Sequence, residues 1–77
     1  MTQRPIKRSL TLKGHRTSVS LETPFWEAFK DIAAHEGKAI NQLAAEIDAQ
    51  RGVQTGLASA IRLYILDHYK SKALRAA

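Results

Sequence analysis

The hydrophobic pattern changes its period at Thr23-Pro24, and this change limits the folds open to the chain. Over residues 15–22 the side chains alternate in character, which is typical of a strand with one buried face. One face carries Thr17, Val19 and Leu21, and the other carries Arg16, Ser18 and Ser20. From Pro24 onward, apolar residues recur every three or four positions, as on an amphipathic helix. The pattern predicts a short strand that runs directly into a helix.

Two short helices are predicted after this strand. Thr23 is the expected N-cap of the first helix, and Pro24 fits its first turn, where a missing N–H costs nothing. Gly37 is expected to end this helix, and Gly52 the second. The first apolar stripe consists of Phe25, Phe29, Ile32 and Ala33, with Trp26 at the edge of the same core. The second stripe consists of Ile40, Leu43, Ala44 and Ile47.

A third helix is predicted from Leu57 to about Lys70. Its apolar stripe consists of Leu57, Ala60, Ile61, Tyr64, Ile65 and His68. Leu63 and Leu66 widen this surface beyond what one intramolecular face needs, so we expect part of the helix to be buried against a second chain. Residues 71–77 have little to bury and are expected to fray.

The N-terminal segment is interpreted as an arm followed by a strand. Residues 1–8 are basic or polar with little to bury, so we expect a flexible basic arm ahead of a folded domain over residues 9–70. Ser9–Leu12 alternates like a further short strand, and Lys13-Gly14 offers a turn. A two-residue hairpin there pairs Leu12 with His15 and Leu10 with Thr17. Lysine fits the left-handed turn poorly, and the sequence leaves open whether this extra strand forms.

The net charge of +5 is confined to the N-terminal part of the chain. Residues 1–16 hold five Lys or Arg and no acid, whereas residues 17–77 hold seven of each sign. The five cations are Arg4, Lys7, Arg8, Lys13 and Arg16. A localised basic segment indicates phosphate binding, and a solubilising disordered tail is the alternative.

The size and composition exclude several classes of protein. A chain of 77 residues without cysteine lacks the disulfides and metal sites that support small folds, so oligomerisation is the support left. No apolar run reaches the roughly 20 residues of a membrane span, and the N-terminus lacks a signal-peptide core, so we expect a cytoplasmic, bacterial-type protein. The histidines are scattered and the acids form no convergent pair, so we expect no catalytic site, metal or cofactor.

The predicted start of the second helix lacks a good N-cap. Lys38 or Ala39 stands where a serine or aspartate is expected, so the N–H groups of the first turn lack a side-chain partner. Water can satisfy these groups. An anion can do so as well, because free N–H groups and the helix dipole favour phosphate, and Lys38 adds charge.

The order of these parts resembles the ribbon-helix-helix family of DNA-binding proteins, of the Arc, MetJ and CopG type. The resemblance covers residues 16–48 most clearly. It is carried by Lys7-Arg8-Ser9, residues 14–22, Phe25-Trp26, residues 45–48 and residues 57–62, as in a small bacterial subfamily with an extra C-terminal helix. It implies a mainly α fold with a short β-ribbon, in an intertwined homodimer whose strands pair antiparallel across two chains.

The resemblance also implies roles for individual residues. In that family the outward strand residues read bases in the major groove, and these are here Arg16, Ser18 and Ser20. The start of the second helix binds backbone phosphates, which maps to Lys38, Ala39, Ile40 and Asn41. Arg4, Lys7, Arg8 and Lys13 of the basic segment are expected to add phosphate contacts.

Two functions are consistent with the sequence. The first is a homodimeric transcriptional regulator that binds double-stranded DNA with full or partial sequence specificity. The alternative is a protein-interaction module, or an antitoxin-like protein, that binds a partner protein through the third helix while the ribbon is structural. Neither function includes enzymatic activity.

Overall fold

The computed structural model describes residues 4–76 as a two-stranded antiparallel ribbon followed by three helices. The elements are β1 (Ile6–Leu12), β2 (His15–Leu21), α1 (Thr23–His35), α2 (Ile40–Gln50) and α3 (Leu57–Ala76). This confirms the predicted mainly α fold with a short β-ribbon and a third helix. The structure holds one chain, so the intertwined homodimer stays a prediction.

The ribbon is a hairpin within the chain, with the register expected from the sequence. Leu12 pairs with His15, and Leu10 pairs with Thr17. Lys13 and Gly14 connect the strands with φ values of 52° and 82°. Positive φ at both central residues is the geometry that matches the twist of a two-residue hairpin, so Lys13 accepts a conformation that lysine disfavours.

The first strand begins earlier than the sequence pattern indicated. It starts at Ile6 and includes Lys7 and Arg8, which the sequence placed in a flexible arm. Residues 1–3 of that arm lie outside the described part of the chain. The flexibility of the remaining arm stays a prediction.

Helix α1 has a different N-cap from the one predicted. The cap is Glu22, whose carbonyl accepts the N–H of Trp26 at 2.9 Å. Thr23 is the first helical residue, and its hydroxyl accepts a hydrogen bond from Arg8 instead of capping the helix. At the other end Gly37 has a φ of 69°, and its neighbour Lys38 donates its N–H back to the carbonyl of Ala33 at 2.9 Å. Glycine is suited to this left-handed position, which ends the helix as the sequence predicted.

Helix α3 runs past its expected end at Lys70, to Ala76. Residues 71–76 contain no glycine or proline and include good helix formers, so nothing local stops the helix. No helix in residues 4–76 combines the length and the apolar character required to cross a membrane.

The core lies beneath the ribbon and between the helices, with α2 packed against β1 and α3 against β2. Its buried side chains are Leu10, Val19, Leu21, Phe29, Ile32, Ala33, Leu43, Ala44, Ile47, Ile61 and Ile65. Thr17 was expected on the buried face and is exposed, because α2 covers this half of the ribbon from the β1 side. The ribbon therefore has one face on the core and one face free.

Candidate nucleic-acid interface

The free face of the hairpin carries six polar or basic side chains. Strand alternation and the observed register place three of them on each strand, in the pairs Lys7 with Ser20, Ser9 with Ser18, and Thr11 with Arg16. All six residues are exposed. The face therefore offers four hydroxyls and two cations. A two-stranded ribbon of this kind fits into the major groove, where hydroxyl and guanidinium groups reach base edges.

The structure brings the three predicted base-contact residues together. Arg16, Ser18 and Ser20 follow one another on the outward side of β2. Sequence reasoning missed Ser9 and Thr11, which β1 places beside them. The expected hairpin register could have identified them. A register that puts Leu10 and Leu12 on the buried face also puts Ser9 and Thr11 on the opposite face.

Arg8 lies on the inward side of the ribbon, away from Lys7. Its guanidinium carbon is 5.5 Å from the centre of the Trp26 ring, and Nη2 donates to the hydroxyl of Thr23 at 3.0 Å. Its Nε is buried and has no partner within residues 4–76. Arg8 thus joins β1 to the start of α1, and the structure does not bring it to the free face with the other basic residues.

The start of α2 lies beside the ribbon near its turn. The side-chain oxygen of Asn41 accepts the N–H of Thr11 at 3.1 Å, which joins the first helical turn to β1. Ala39 is the N-cap and its methyl side chain cannot accept a hydrogen bond. The positive end of the helix dipole therefore lies next to the free face of the ribbon, a position that favours a bound anion.

Lys38 is engaged in ion pairs rather than open to a ligand. Its Nζ lies 2.7 Å from Glu46 and 3.4 Å from Glu36. The hydrogen bond to Glu46 is the main reason that the pKa of Lys38 is raised, and the same bond lowers the pKa of Glu46. Two carboxylates balance this charge, so the backbone N–H groups of the first turn are the donors that α2 offers to an anion.

Arg62 of α3 holds the other end of the ribbon, a role with no local signal in the sequence. Its guanidinium donates to Glu22 at 2.9 and 3.1 Å and to the carbonyl oxygen of Ser20 at 3.3 Å. It also lies 5.7 Å from the Phe25 ring centre. The pKa of Glu22 is lowered, first by a hydrogen bond from its own backbone N–H and then by Arg62.

A cleft of about 480 Å³ lies between α3 and the end of α1. Glu36 accepts a hydrogen bond from the Tyr64 hydroxyl at 3.0 Å and has Nδ1 of His68 at 4.0 Å. Burial and the Glu36 carboxylate raise the pKa of Tyr64. The Tyr64 hydroxyl thus has its partner, and within residues 4–76 no group of three or more His, Asp or Glu is placed to hold a metal ion.

The order of ribbon, α1 and α2 agrees with the comparison to protein families. The ribbon-helix-helix domain matches residues 5–69, which is most of the chain. The chain belongs to the ribbon-helix-helix family. Ribbon-helix-helix domains are DNA-binding and non-enzymatic, and their proteins typically bind DNA as dimers. No curated protein and no solved structure matches the chain.

Proposed function

We propose that this ribbon-helix-helix protein is a homodimeric transcriptional regulator that inserts its ribbon into the major groove of double-stranded DNA. The observation that carries the proposal is the free hairpin face, with four hydroxyls, two cations and no carboxylate among its six exposed residues. The proposal places the protein with the DNA in a bacterial cytoplasm.

Arg16 has the leading role in base recognition. A guanidinium forms two parallel hydrogen bonds with guanine in the major groove, worth about 1–3 kcal/mol of discrimination. Ser18 and Ser20 lie on the same side of β2 and make shorter, less selective contacts. Specificity is therefore expected to centre on the base pair that faces Arg16.

Phosphate binding is assigned to the ends of the ribbon and to α2. Lys13 lies exposed at the turn, while Arg4 and Lys7 lie at the opposite end. The first-turn N–H groups of α2, after Ala39, are proposed to bind a phosphate directly, with Ile40 and Asn41 in that turn. Arg8 and Lys38 are not assigned to phosphate binding. The guanidinium of Arg8 is engaged by Trp26 and Thr23. The ammonium group of Lys38 is engaged by two carboxylates.

The homodimer contact is proposed on the outer side of α3. Leu63, Leu66 and Leu74 are 61%, 55% and 78% exposed. Their spacing places them within about 80° on a helix, with Lys70 among them. We call these three leucines the α3 stripe. A stripe of large apolar side chains is typical of a protein contact surface.

The same stripe supports the second candidate function, binding of a different protein, as in an antitoxin. A charge introduced at one residue of the α3 stripe distinguishes the two functions. Under the leading proposal Leu66→Glu weakens dimerisation and, through it, DNA binding at low protein concentration. Under the second, Leu66→Glu leaves the mass of the oligomer and its DNA affinity unchanged and abolishes only the binding of the partner protein.

DNA binding itself is tested by fluorescence anisotropy with labelled genomic duplexes over a range of salt concentrations. We expect affinity that falls with salt, and Arg16→Ala is expected to lose both affinity and base preference. Lys30→Gln is the matched control, since it removes one positive charge from the exposed side of α1. Binding that ignores salt, or an Arg16 variant that behaves like the Lys30 variant, contradicts the proposal.

A further inference from the structure

Helix α3 continues well beyond the core on which its first half packs. The buried residues of α3 are Ile61 and Ile65, and no residue from Leu66 to Arg75 is buried. This second half amounts to roughly three turns, a length at which a helix is marginal in water without packing. Contact with another chain would supply the stabilisation that the core of its own chain does not give it.

The outer side of this extension carries one charge of each sign beside the α3 stripe. At 100° per residue, Lys70 lies between Leu66 and Leu74 on the helix surface, and Asp67 lies beside Leu74 at the edge of the stripe. Asp67 and Lys70 are both exposed. Neither of them forms an ion pair with another residue of the described chain, 4–76. The surface thus combines large apolar side chains with two opposite charges that have no partner within it.

This pattern is complementary to itself when two copies of α3 run antiparallel. A twofold axis level with the midpoint between residues 68 and 69 brings Leu63 to the height of Leu74 of the second copy. The same axis brings Asp67 to the height of Lys70 of the second copy. Because the axis is twofold, each contact occurs twice. A parallel pair would instead set each charge opposite the same charge, which is repulsive.

We propose that α3 pairs antiparallel with α3 of a second copy of this chain, with Leu63 packed on Leu74 and Asp67 paired with Lys70 across the twofold axis. The inference rests on the proposed function and gives its α3 contact an orientation, a register and two ion pairs. The contact involves no residue of β1 or β2, so the ribbon strands remain available for pairing between chains. Lys70, the charge within the apolar stripe, makes the surface selective for its own copy.

Disulfide formation at the two ends of the stripe tests the orientation. The chain has no cysteine, so Leu63→Cys with Leu74→Cys introduces the only thiols. Along one helix these positions are roughly 16 Å apart and cannot join to each other. Facing Cα atoms of two helices packed 8–10 Å apart lie roughly 4–6 Å from each other, within disulfide range. We expect the oxidised double variant to become a covalent dimer, seen on a non-reducing gel.

The two single variants are the matched controls. In an antiparallel pair, Leu63→Cys alone and Leu74→Cys alone each place their thiols at opposite ends of the contact. Each is therefore expected to give no more covalent dimer than the same protein gives in urea. Strong crosslinking by either single variant means a parallel pair and overturns the inference. A double variant that crosslinks no better in buffer than in urea overturns it as well, and leaves the surface to a different protein.

Charge reversal tests the ion pairs with the same disulfide. One copy carries Leu63→Cys and the other Leu74→Cys, mixed at low concentration so that the yield follows the affinity of the contact. Asp67→Lys in both copies turns two attractions into repulsions, and we expect about fourfold to thirtyfold weaker association. Asp67→Lys in one copy with Lys70→Asp in the other restores opposite charges at both places, so the yield is expected to recover.

Asp31→Lys in both copies is the control for charge, because it makes the same change on an exposed position of α1. The ion pairs are overturned if Asp67→Lys behaves like Asp31→Lys, or if the oppositely charged mixture does not recover. DNA binding is measured on the same proteins by anisotropy. Salt-sensitive DNA binding without the Leu63–Leu74 crosslink overturns this inference alone. A crosslinked protein that binds no DNA overturns the proposed regulator and leaves the pairing of α3 standing.

Discussion

The side chains of Lys7 and Arg8 lie on opposite faces of β1. Replacing each one with methionine therefore separates an effect on DNA binding from an effect on stability. Lys7 lies on the free face, whereas Arg8 stacks on Trp26 and donates to Thr23. Methionine keeps a long apolar stem in both places and removes the charge together with its hydrogen-bond donors. We expect Lys7→Met to change DNA binding and Arg8→Met to change stability.

The size of each effect follows from the contacts. Three cations per protomer are assigned to phosphates, namely Arg4, Lys7 and Lys13. At about 0.9 per phosphate, a bound dimer has a slope of log K against log salt near −5.4. Removing Lys7 from both protomers lowers its magnitude to about 3.6. Arg8→Met leaves the slope unchanged and lowers the free energy of unfolding by about 1–2 kcal/mol, since it loses a cation–π contact and a charged hydrogen bond.

Anisotropy titrations at four or more salt concentrations give the slopes, and urea unfolding gives the stabilities. Lys7→Met is its own stability control, because an exposed substitution changes the free energy of unfolding by no more than about 0.5 kcal/mol. The reasoning is refuted if Arg8→Met reduces the salt slope as much as Lys7→Met does.

Three further predictions concern other parts of the molecule. Leu63→Glu is expected to stay folded, within about 0.5 kcal/mol of the unmodified chain, and to give the mass of a monomer in light scattering; a persistent dimer contradicts the α3 contact. Lys13→Asn is expected to raise stability in urea by about 0.5–1 kcal/mol, because asparagine tolerates the φ of 52° at this position; a loss of stability contradicts the turn geometry. The pKa of Glu46 is lowered from 4.5, so its stabilisation is present above pH 4.5 and lost as pH falls through the lowered value. Glu46→Gln is therefore expected to flatten the acid side of the thermal stability profile, and an unchanged profile argues against the Lys38 pair.

Local patterns were enough to predict the core and β2, whereas the formation of β1 was left open. If a two-residue turn forms at Lys13-Gly14, strand alternation predicts the observed register, and the helical spacing of residues such as Phe29 and Leu43 identified the buried faces. The three base-contact candidates lie together for the same reason, since alternation assigns a face to every strand residue. These features depend on neighbours a few residues apart, which a sequence displays directly.

The contacts that the sequence did not indicate join distant segments. Thr23 was expected as the N-cap but is the first residue of α1, and its hydroxyl accepts a hydrogen bond from Arg8, 15 positions earlier. At the ribbon edge, Arg62 contacts Glu22 and Ser20, which precede it by 40 and 42 positions in the sequence. Lys38 was expected to attract phosphate. Instead, its ammonium group forms an ion pair with Glu46 of α2. Side-chain partners of this kind are decided by packing, which a local pattern does not contain.

The central claim is that the free face of the hairpin binds DNA, and amide chemical-shift mapping tests it most directly. The 15N-labelled protein is titrated with a duplex that it binds. We predict that the largest shifts fall on Lys7, Ser9, Thr11, Arg16, Ser18 and Ser20 and on the first turn of α2. Amides of the α3 stripe are predicted to keep their positions, since a dimer contact there exists before DNA is added. Shifts concentrated on α3, with the hairpin unchanged, would contradict the claim.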